Sequence, residues 1–200
     1  MAAGAWRESN IAGGGALDYL IETYWRSRDL PASIDLLLAA GATSKYQVPA
    51  LFAMLRGRME EFAAEIDRDP ALVHRQFPEF EFGATAGRRL TLRDATLLHV
   101  AAEYGLPSAA RILLDRGADV NARGGCGQTP TFHAASQNQD YGLEVVQLLI
   151  DRGADLAMRA TVPGHYERLD EFIECNPLEY ALLFPGGENE TTRLLRASMV

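Results

Sequence analysis

Residues 96–119 decide the fold, because two segments within them recur further along the chain. The first segment reads Thr96-Leu-Leu-His-Val-Ala-Ala-Glu-Tyr-Gly105, and Thr129-Pro-Thr-Phe-His-Ala-Ala135 repeats it 33 residues later (96 to 129). The second reads Arg111-Ile-Leu-Leu-Asp-Arg-Gly-Ala-Asp119, and Gln147-Leu-Leu-Ile-Asp-Arg-Gly-Ala-Asp155 repeats it after 36 residues (111 to 147). Each copy therefore predicts a turn, a short helix and a longer helix, with three residues (36 minus 33) inserted in the later copy.

Weaker copies flank this central pair. Val48-Pro-Ala-Leu-Phe-Ala-Met-Leu-Arg-Gly57 and Asn176-Pro-Leu-Glu-Tyr-Ala-Leu182 keep the proline and a small alanine at matching offsets. Ile34-Asp-Leu-Leu-Leu-Ala-Ala-Gly-Ala42 matches the end of a second helix. A period of about 33 residues built from a turn and two helices resembles the ankyrin repeat. The resemblance covers residues 14–200 and implies an all-α ankyrin-repeat solenoid of about four to five helix-turn-helix repeats.

The spacing of the copies predicts how the chain is divided. Residues 1–13 are expected to form a flexible N-terminal tail, and residues 14–200 a single ankyrin-repeat domain. The predicted repeats are 14–44 as a degenerate cap, 45–90, 91–125, 126–172, and 173–200 as the C-terminal cap.

The repeated residue types have local physical reasons. Thr96 is expected to cap a helix by accepting a backbone N–H, and Gly117 and Gly153 to end helices in the left-handed region. Asn121 is expected to bond its own backbone and hold a turn. Small side chains let neighbouring helices approach closely, which is the role predicted for Ala101-Ala102 and Ala134-Ala135.

Two intervals between copies are longer than one period by about fifteen residues. The first excess, at 77–92, alternates aromatic with acidic residues and turns through Gly83-Ala-Thr-Ala-Gly87. The second, at 160–175, falls at nearly the same point of its repeat. Both predict enlarged β-hairpin fingers, the first with Glu79 or Glu81 paired to Arg88 or Arg89. The alternative is that both are tolerated surface insertions, since loop-closure entropy grows slowly with length.

Composition narrows the function classes. With 19 basic and 27 acidic residues in 200, the net charge of −8 argues against a nucleic-acid partner. No apolar run is long enough for a membrane span, and no signal peptide is visible. Two cysteines indicate a reducing compartment, so we expect a cytoplasmic protein. Lys45 is the one lysine among the 19 basic residues, which is typical of a GC-rich, bacterial genome.

No residue pattern predicts catalysis, a metal or a cofactor. His99 stands at the histidine position of the repeat motif, where the resemblance implies a structural hydrogen bond, and His133 lies one position later. His165, in the second finger, is the histidine best placed to contact a ligand. Cys126 and Cys175 could be drawn with His133 and His165 as a metal site, but the spacing matches no zinc pattern.

The resemblance implies a non-enzymatic module that binds an unidentified partner protein through its concave face and fingers. Aromatic and arginine side chains commonly anchor interfaces, although each could instead pack within a finger or the stack. The predicted partner-binding residues are Arg56, Tyr104, Gln137 and Phe184 on the short helices, and Phe80, Phe82, Arg88, Arg89 and Tyr166 on the fingers. We expect a monomer. The alternatives are assembly through terminal repeats, or a metal-binding or enzymatic domain that uses the inserted hairpins.

Overall fold

The computed structural model describes residues 15–22, 29–80, 90–137, 140–164, 171–184 and 187–199. The predicted tail, 1–13, lies outside these residues. Within them, helices dominate and two short strands follow the eighth α-helix. The elements are α1 Ala16–Glu22, α2 Leu30–Ala39, α3 Pro49–Leu55, α4 Met59–Arg68, a 3₁₀ helix Pro70–Val73, α5 Leu97–Glu103, α6 Pro107–Asp115, α7 Pro130–Ala135, α8 Leu143–Asp151, β1 Ala160–Pro163, β2 Phe172–Cys175, α9 Pro177–Ala181 and α10 Glu190–Ser198.

Successive helices pack as antiparallel pairs, and the pairs stack side by side in two layers. The short helices α5, α7 and α9 contact one another in order and form the inner layer. The longer helices α4, α6, α8 and α10 do the same in the outer layer. One helix pair cannot bury its own apolar stripe, so each pair depends on its neighbour for a core.

The local signals at helix ends agree with the sequence. The backbone N–H of Thr96 donates to Nδ1 of His99 (3.2 Å) at the start of α5, which makes the two residues a capping box. Gly117 and Gly153 adopt φ of 87° and 83° after α6 and α8. Such values favour glycine, which carries no Cβ to clash with the backbone.

Asn121 differs from its prediction. Its backbone N–H donates to Oδ1 of Asp119 (2.9 Å), so Asp119 is the residue that holds the turn. The side-chain oxygen of Asn121 instead accepts the backbone N–H of Asp155 (2.8 Å) in the following repeat copy. The asparagine therefore links two turns that are 34 residues apart, a contact that local sequence does not show.

The second insertion begins and ends as an antiparallel pair of strands. Ala160 stands opposite Cys175, and Pro163 opposite Phe172. The strands cover a small apolar cluster, separate from the main core. This cluster contains Leu90, Phe132, Ala160, Val162, Cys175 and Tyr180.

The first insertion differs from the predicted strand where the structure describes it. Phe77 forms one antiparallel bridge with Ala95, and the N–H of Phe80 then turns back to the carbonyl of Phe77 (3.3 Å). The turn stacks both rings 4.4 Å apart in the core, where their aromatic faces are buried. Glu79 lies 3.5 Å from Arg75. Its predicted partners Arg88 and Arg89, like Glu81, lie outside the described residues.

A single aspartate ties the last helix to the preceding pair. Asp140 has a left-handed φ of 56°, and its carboxylate accepts hydrogen bonds from Thr191 N and Thr191 Oγ1, both at 2.8 Å. The backbone N–H of Glu190 donates to Oδ2 of the same carboxylate (3.4 Å). Partial burial raises the pKa of Asp140, but these bonds and the charge of Arg193 outweigh it, so the pKa lies below its ordinary value.

We expect Asp140→Ala to lower the free energy of unfolding by about 1 kcal/mol, the usual cost of losing an N-terminal helix cap. Asp140→Asn should cost less, because asparagine keeps an acceptor oxygen and tolerates the left-handed region. Both are measured by urea unfolding at neutral pH. Asp151→Ala, on the exposed side of α8, is the matched control and should stay within about 0.5 kcal/mol of wild type.

The contribution of Asp140 should depend on pH in one direction. Because its pKa is lowered on folding, its stabilisation is present above the ordinary carboxyl pKa near 3.8 and is lost as the pH falls through the folded value. The difference between wild type and Asp140→Ala should therefore shrink in acid. A difference that stays constant from pH 7 to the acid limit of folding would refute this role for the carboxylate.

Candidate functional site

The candidate site is the inner surface of the stack, where each short helix ends. We call the residues just before the turn to the outer helix the inner-helix ends: Arg56, Glu103 and Tyr104, Ser136 and Gln137, and Leu183 and Phe184. Resemblance to the ankyrin repeat predicts that they face a partner. The structure separates them into a buried group in the middle of the stack and an accessible group towards its two ends.

Three of the predicted contact residues are buried, which corrects the exposure expected of them. Tyr104 is 3% exposed, and its hydroxyl donates to the backbone carbonyl of Ile21 in α1. Gln137 is also buried, and its Nε2 donates to the carbonyl of His133 (2.7 Å). Phe80 stacks on Phe77 in the core. These side chains stabilise the fold and present no free surface to a partner.

Arg56 and Phe184 keep part of their surface accessible. The Nε of Arg56 donates to the Asp35 carboxylate in α2 (2.5 Å). Phe184 sets its edge against the ring of Tyr180, with ring centres 5.2 Å apart. The remaining predicted residues, Phe82, Arg88, Arg89 and Tyr166, lie outside the described residues, as does His165.

The structure also exposes apolar side chains that were not predicted to bind a partner. Phe172, at the start of β2, is 62% exposed, and Leu182 and Leu183, directly after α9, are 37% and 38% exposed. Cys175, at the far end of β2, is buried. Leu183 was available to sequence reasoning as an inner-helix end, whereas the exposure of Phe172 depends on which strand face meets the small apolar cluster.

A buried acid–base pair lies between the inner helices of the two strong repeats. Glu103 of α5 and His133 of α7 are both fully buried, with 2.8 Å between Oε2 and Nδ1. The ring of His133 also meets the ring of His99 edge to face at 5.7 Å. The shift of the histidine by one position relative to the motif, which sequence alone shows, is what brings it to Glu103.

His99 performs the structural role that the resemblance implies. Its Nδ1 accepts from Thr96, and its Nε2 lies 3.2 Å from the backbone carbonyl of Gln128 in the next repeat. Burial, assisted by the nearby His133, lowers the pKa of His99 to about 3, although the bond to Gln128 acts in the opposite direction. The ring is therefore neutral at physiological pH and cannot serve as an acid there.

The two thiols are shielded rather than activated. Burial raises the pKa of the Cys126 thiol. Burial, followed by the charge of Glu179, raises the pKa of Cys175 to about 11 even though Arg159 lowers it. A thiolate is the reactive form of cysteine, so neither environment favours nucleophilic or metal-ligand chemistry at neutral pH. In the described ranges, no three His, Cys, Asp or Glu side chains gather as they would around a metal ion.

We expect Glu103→Ala to lower the free energy of unfolding by about 3 kcal/mol, because it leaves His133 buried without its carboxylate. Glu103→Gln should cost clearly less, since its amide oxygen can still accept from Nδ1. Glu60→Ala, an exposed glutamate of α4, is the control and should be close to neutral. Equal losses for Glu103→Ala and Glu60→Ala in urea unfolding would contradict this account.

Acid should destabilise the protein through His99. Between the unfolded pKa near 6.5 and the folded value of about 3, only the unfolded state binds the proton, so stability falls as the pH falls. One such group contributes a slope of up to about 1.4 kcal/mol per pH unit. Replacing His99 with Gln should reduce the slope of unfolding free energy against pH relative to wild type. A slope identical to that of wild type would argue against the assignment.

None of the helices in the described ranges has the length and apolarity needed to cross a lipid bilayer. The longest of them, α2 and α4, have ten residues each.

Comparison with known proteins agrees with this architecture. A putative ankyrin repeat protein of Rickettsia bellii is 37% identical over 71 residues, covering 36% of this chain and 28% of that protein. Human ankyrin repeat and SOCS box protein 6 is 32% identical over 138 residues, covering 64% and 29%. The mouse B-cell lymphoma 3 protein homolog is 31% identical over 129 residues, covering 64% and 27%. The chain thus spans less than a third of the length of these relatives.

The family model for ankyrin repeats, described as three copies, matches residues 61–160 and again 98–197. These matches include α5 to α9 in full, all but the last residue of α10, and most of the inner surface described above. Because they extend over more than half of the sequence, this chain belongs to the ankyrin-repeat family.

Proposed function

We propose that this chain is a non-enzymatic module that binds another protein through its concave face and its hairpin fingers. Ankyrin repeats generally act as protein–protein interaction modules. One observation points to particular contact residues. Phe172 on β2, and Leu182 and Leu183 directly after α9, expose large apolar side chains. Exposed apolar groups of this kind are typical of surfaces that meet a partner.

The proposed surface combines these residues with accessible predicted ones. Phe184 adjoins Leu183, and its ring is held in place by Tyr180 (5.2 Å), which lowers the entropy lost on binding. Arg56 is likewise held by Asp35. From the fingers, we also include Phe82, Arg88, Arg89 and Tyr166 as contact residues, on sequence grounds alone.

The repeat boundaries belong to the same proposal. Each helix pair falls inside one predicted repeat: α1–α2 in 14–44, α3–α4 in 45–90, α5–α6 in 91–125, α7–α8 in 126–172 and α9–α10 in 173–200. We infer five helix pairs among the described residues, the first and last acting as caps, with an enlarged finger after the second pair and another after the fourth. This arrangement supports a single continuous domain, with a monomer as the expected state.

The test compares partner recovery by three versions of the chain. Phe172→Ser with Leu183→Ser removes apolar surface at the proposed site, and Leu36→Ser removes the same kind of surface from α2, where Leu36 is 71% exposed. We expect proteins captured by wild type to be captured equally by Leu36→Ser and to be lost from the double variant. Interface anchors of this size cost about 2 kcal/mol or more when truncated, roughly thirtyfold in affinity.

Two results would contradict the proposed surface. One is equal recovery by all three versions, provided that their circular dichroism and urea midpoints match. The other is loss of recovery with Leu36→Ser alone, which would move the binding surface to α2.

A further inference from the structure

A groove with a volume of about 570 Å³ lies on the outer layer of the stack, along one side of α8. Its lining on α8 includes Leu143, Gln147 and Asp151, which are spaced four residues apart and therefore share one side of that helix. Its two walls are the N-terminal halves of α6 and α10, and both helices pack against α8. The lining includes neither Phe172 nor Leu183, so the groove is separate from the surface proposed above.

The extra residues of this repeat copy lie next to the groove. α8 begins 36 residues after α6, whereas α7 begins 33 residues after α5, so the insertion lies between α7 and α8. Gly142 precedes α8, and a Cβ there would lie 2.0 Å from the carbonyl oxygen of Ala134, so the first turn of α8 lies directly against α7. Asp140, in the same turn, holds the start of α10 by accepting the N–H of Thr191 (2.8 Å). The insertion thus fixes one wall of the groove.

The floor of the groove is apolar. It is formed by Pro107 of α6, Leu143 and Leu148 of α8, and Leu194 of α10. Of these side chains, Pro107, Leu143 and Leu194 are only partly buried, so they keep apolar surface accessible between the three helices. An accessible apolar surface with a polar rim is typical of a site that binds a partner segment.

The rim of the groove carries more acidic than basic groups. Glu144, Asp151 and Glu190 supply three carboxylates, and Arg111 supplies one guanidinium, all of them exposed. Asp151 accepts a hydrogen bond from Nε2 of Gln147 (2.9 Å). Within the described part of the chain, Glu144, Glu190 and Arg111 form no ion pair. The rim therefore has a net negative charge that attracts cationic groups of a partner.

The dimensions of the groove suit a helix. α8 has nine residues and is about 14 Å long, which equals two to three turns. Packed helices lie about 8–10 Å apart, so the walls on either side of α8 are separated by about 16–20 Å. A helix with its side chains is about 10–12 Å wide and can lie on α8 between these walls. An extended strand would find no sheet edge there, since all three elements are helices.

We propose that this groove is a second interaction surface and that it binds a basic amphipathic helix of a partner protein. Such a helix places apolar side chains on the floor, and lysine or arginine side chains opposite Glu144, Asp151 and Glu190. Arg111 repels cations at the α6 wall, so the positive charges of the partner helix lie towards α8 and α10. This inference goes beyond the proposed function, which concerns the inner surface and the fingers.

The experiment titrates the full chain into a fluorescent helical peptide of about fifteen residues, with leucines on one side and lysines along the flank of that side. Anisotropy should show saturable binding to a single site. A solvated ion pair is worth about two- to threefold in affinity, so Glu144→Gln with Glu190→Gln should weaken binding about fivefold. Replacing the leucines of the peptide with serine should weaken binding at least about tenfold, and replacing its lysines with glutamate should abolish it.

A matched variant separates the groove from the overall negative charge of the protein. Glu60→Gln with Glu61→Gln removes the same two charges from α4, another outer helix, and should change the affinity less than about twofold. All variants should keep the circular dichroism and urea midpoint of wild type. In nuclear magnetic resonance spectra, the amide shifts caused by the peptide should concentrate in α6, α8 and α10.

Four results would overturn the inference. They are equal weakening by the α4 variant, equal binding of the serine peptide, amide shifts that concentrate in the inner helices, and a dimer of the chain alone that Glu144→Gln with Glu190→Gln dissociates. The last result, measured by light scattering, would assign the groove to a second copy of the chain.

The two proposals fail in different ways. Phe172→Ser with Leu183→Ser should leave peptide binding unchanged, because neither residue lines the groove. If the peptide binds as expected while partner capture is indifferent to Phe172 and Leu183, the groove stands and the proposed inner surface is wrong. If capture depends on Phe172 and Leu183 while the peptide does not bind, the interaction function stands and the groove is not a site.

Discussion

Close contact between neighbouring inner helices is the constraint on which the rest of this structure depends. Ala101 and Ala102 of α5 and Ala134 and Ala135 of α7 are almost fully buried, and side chains of this size are what allow the helices to stack without overpacking. The same closeness extends to the loop before α8, where a Cβ on Gly142 would lie 2.0 Å from the carbonyl oxygen of Ala134. Hydrophobic burial between pairs then holds together a chain whose single pairs have no core of their own.

Stacking at this distance also determines what happens to polar side chains on the inner helices. Glu103 and His133 lose their water, and each is compensated by the other at 2.8 Å across the repeat boundary. On the outer layer, Arg152 reaches Asp115 of the preceding copy at 2.6 Å, and Arg116 reaches Asp67 at 2.7 Å. Those outer pairs are solvated and worth little individually. The buried pair is therefore the polar contact between repeats that has the larger energetic consequence.

Sequence periodicity predicted the helices well because each repeated residue acts locally. Thr96 caps its own helix and Gly117 ends the next one, so the short-range pattern was sufficient for both. Exposure was harder to predict. Tyr104 occupies a position that faces a partner in the ankyrin repeat, and it is buried because Ile21 lies against it from 83 residues away. Phe80 turned inward through a contact with Phe77, although strict alternation predicted a strand.

The distribution of exposed and buried side chains on the inner surface follows from these contacts. In the middle of the stack, Tyr104 and Gln137 are buried and form hydrogen bonds within the chain, so they offer a partner little surface. Among the described residues, α9 is the last of the inner helices. Leu183, directly after it, is exposed, and so is Phe172 on β2. Contact with a partner at the last repeat therefore needs complementary apolar surface, whereas the side chains in the middle of the stack contribute to the stability of the fold.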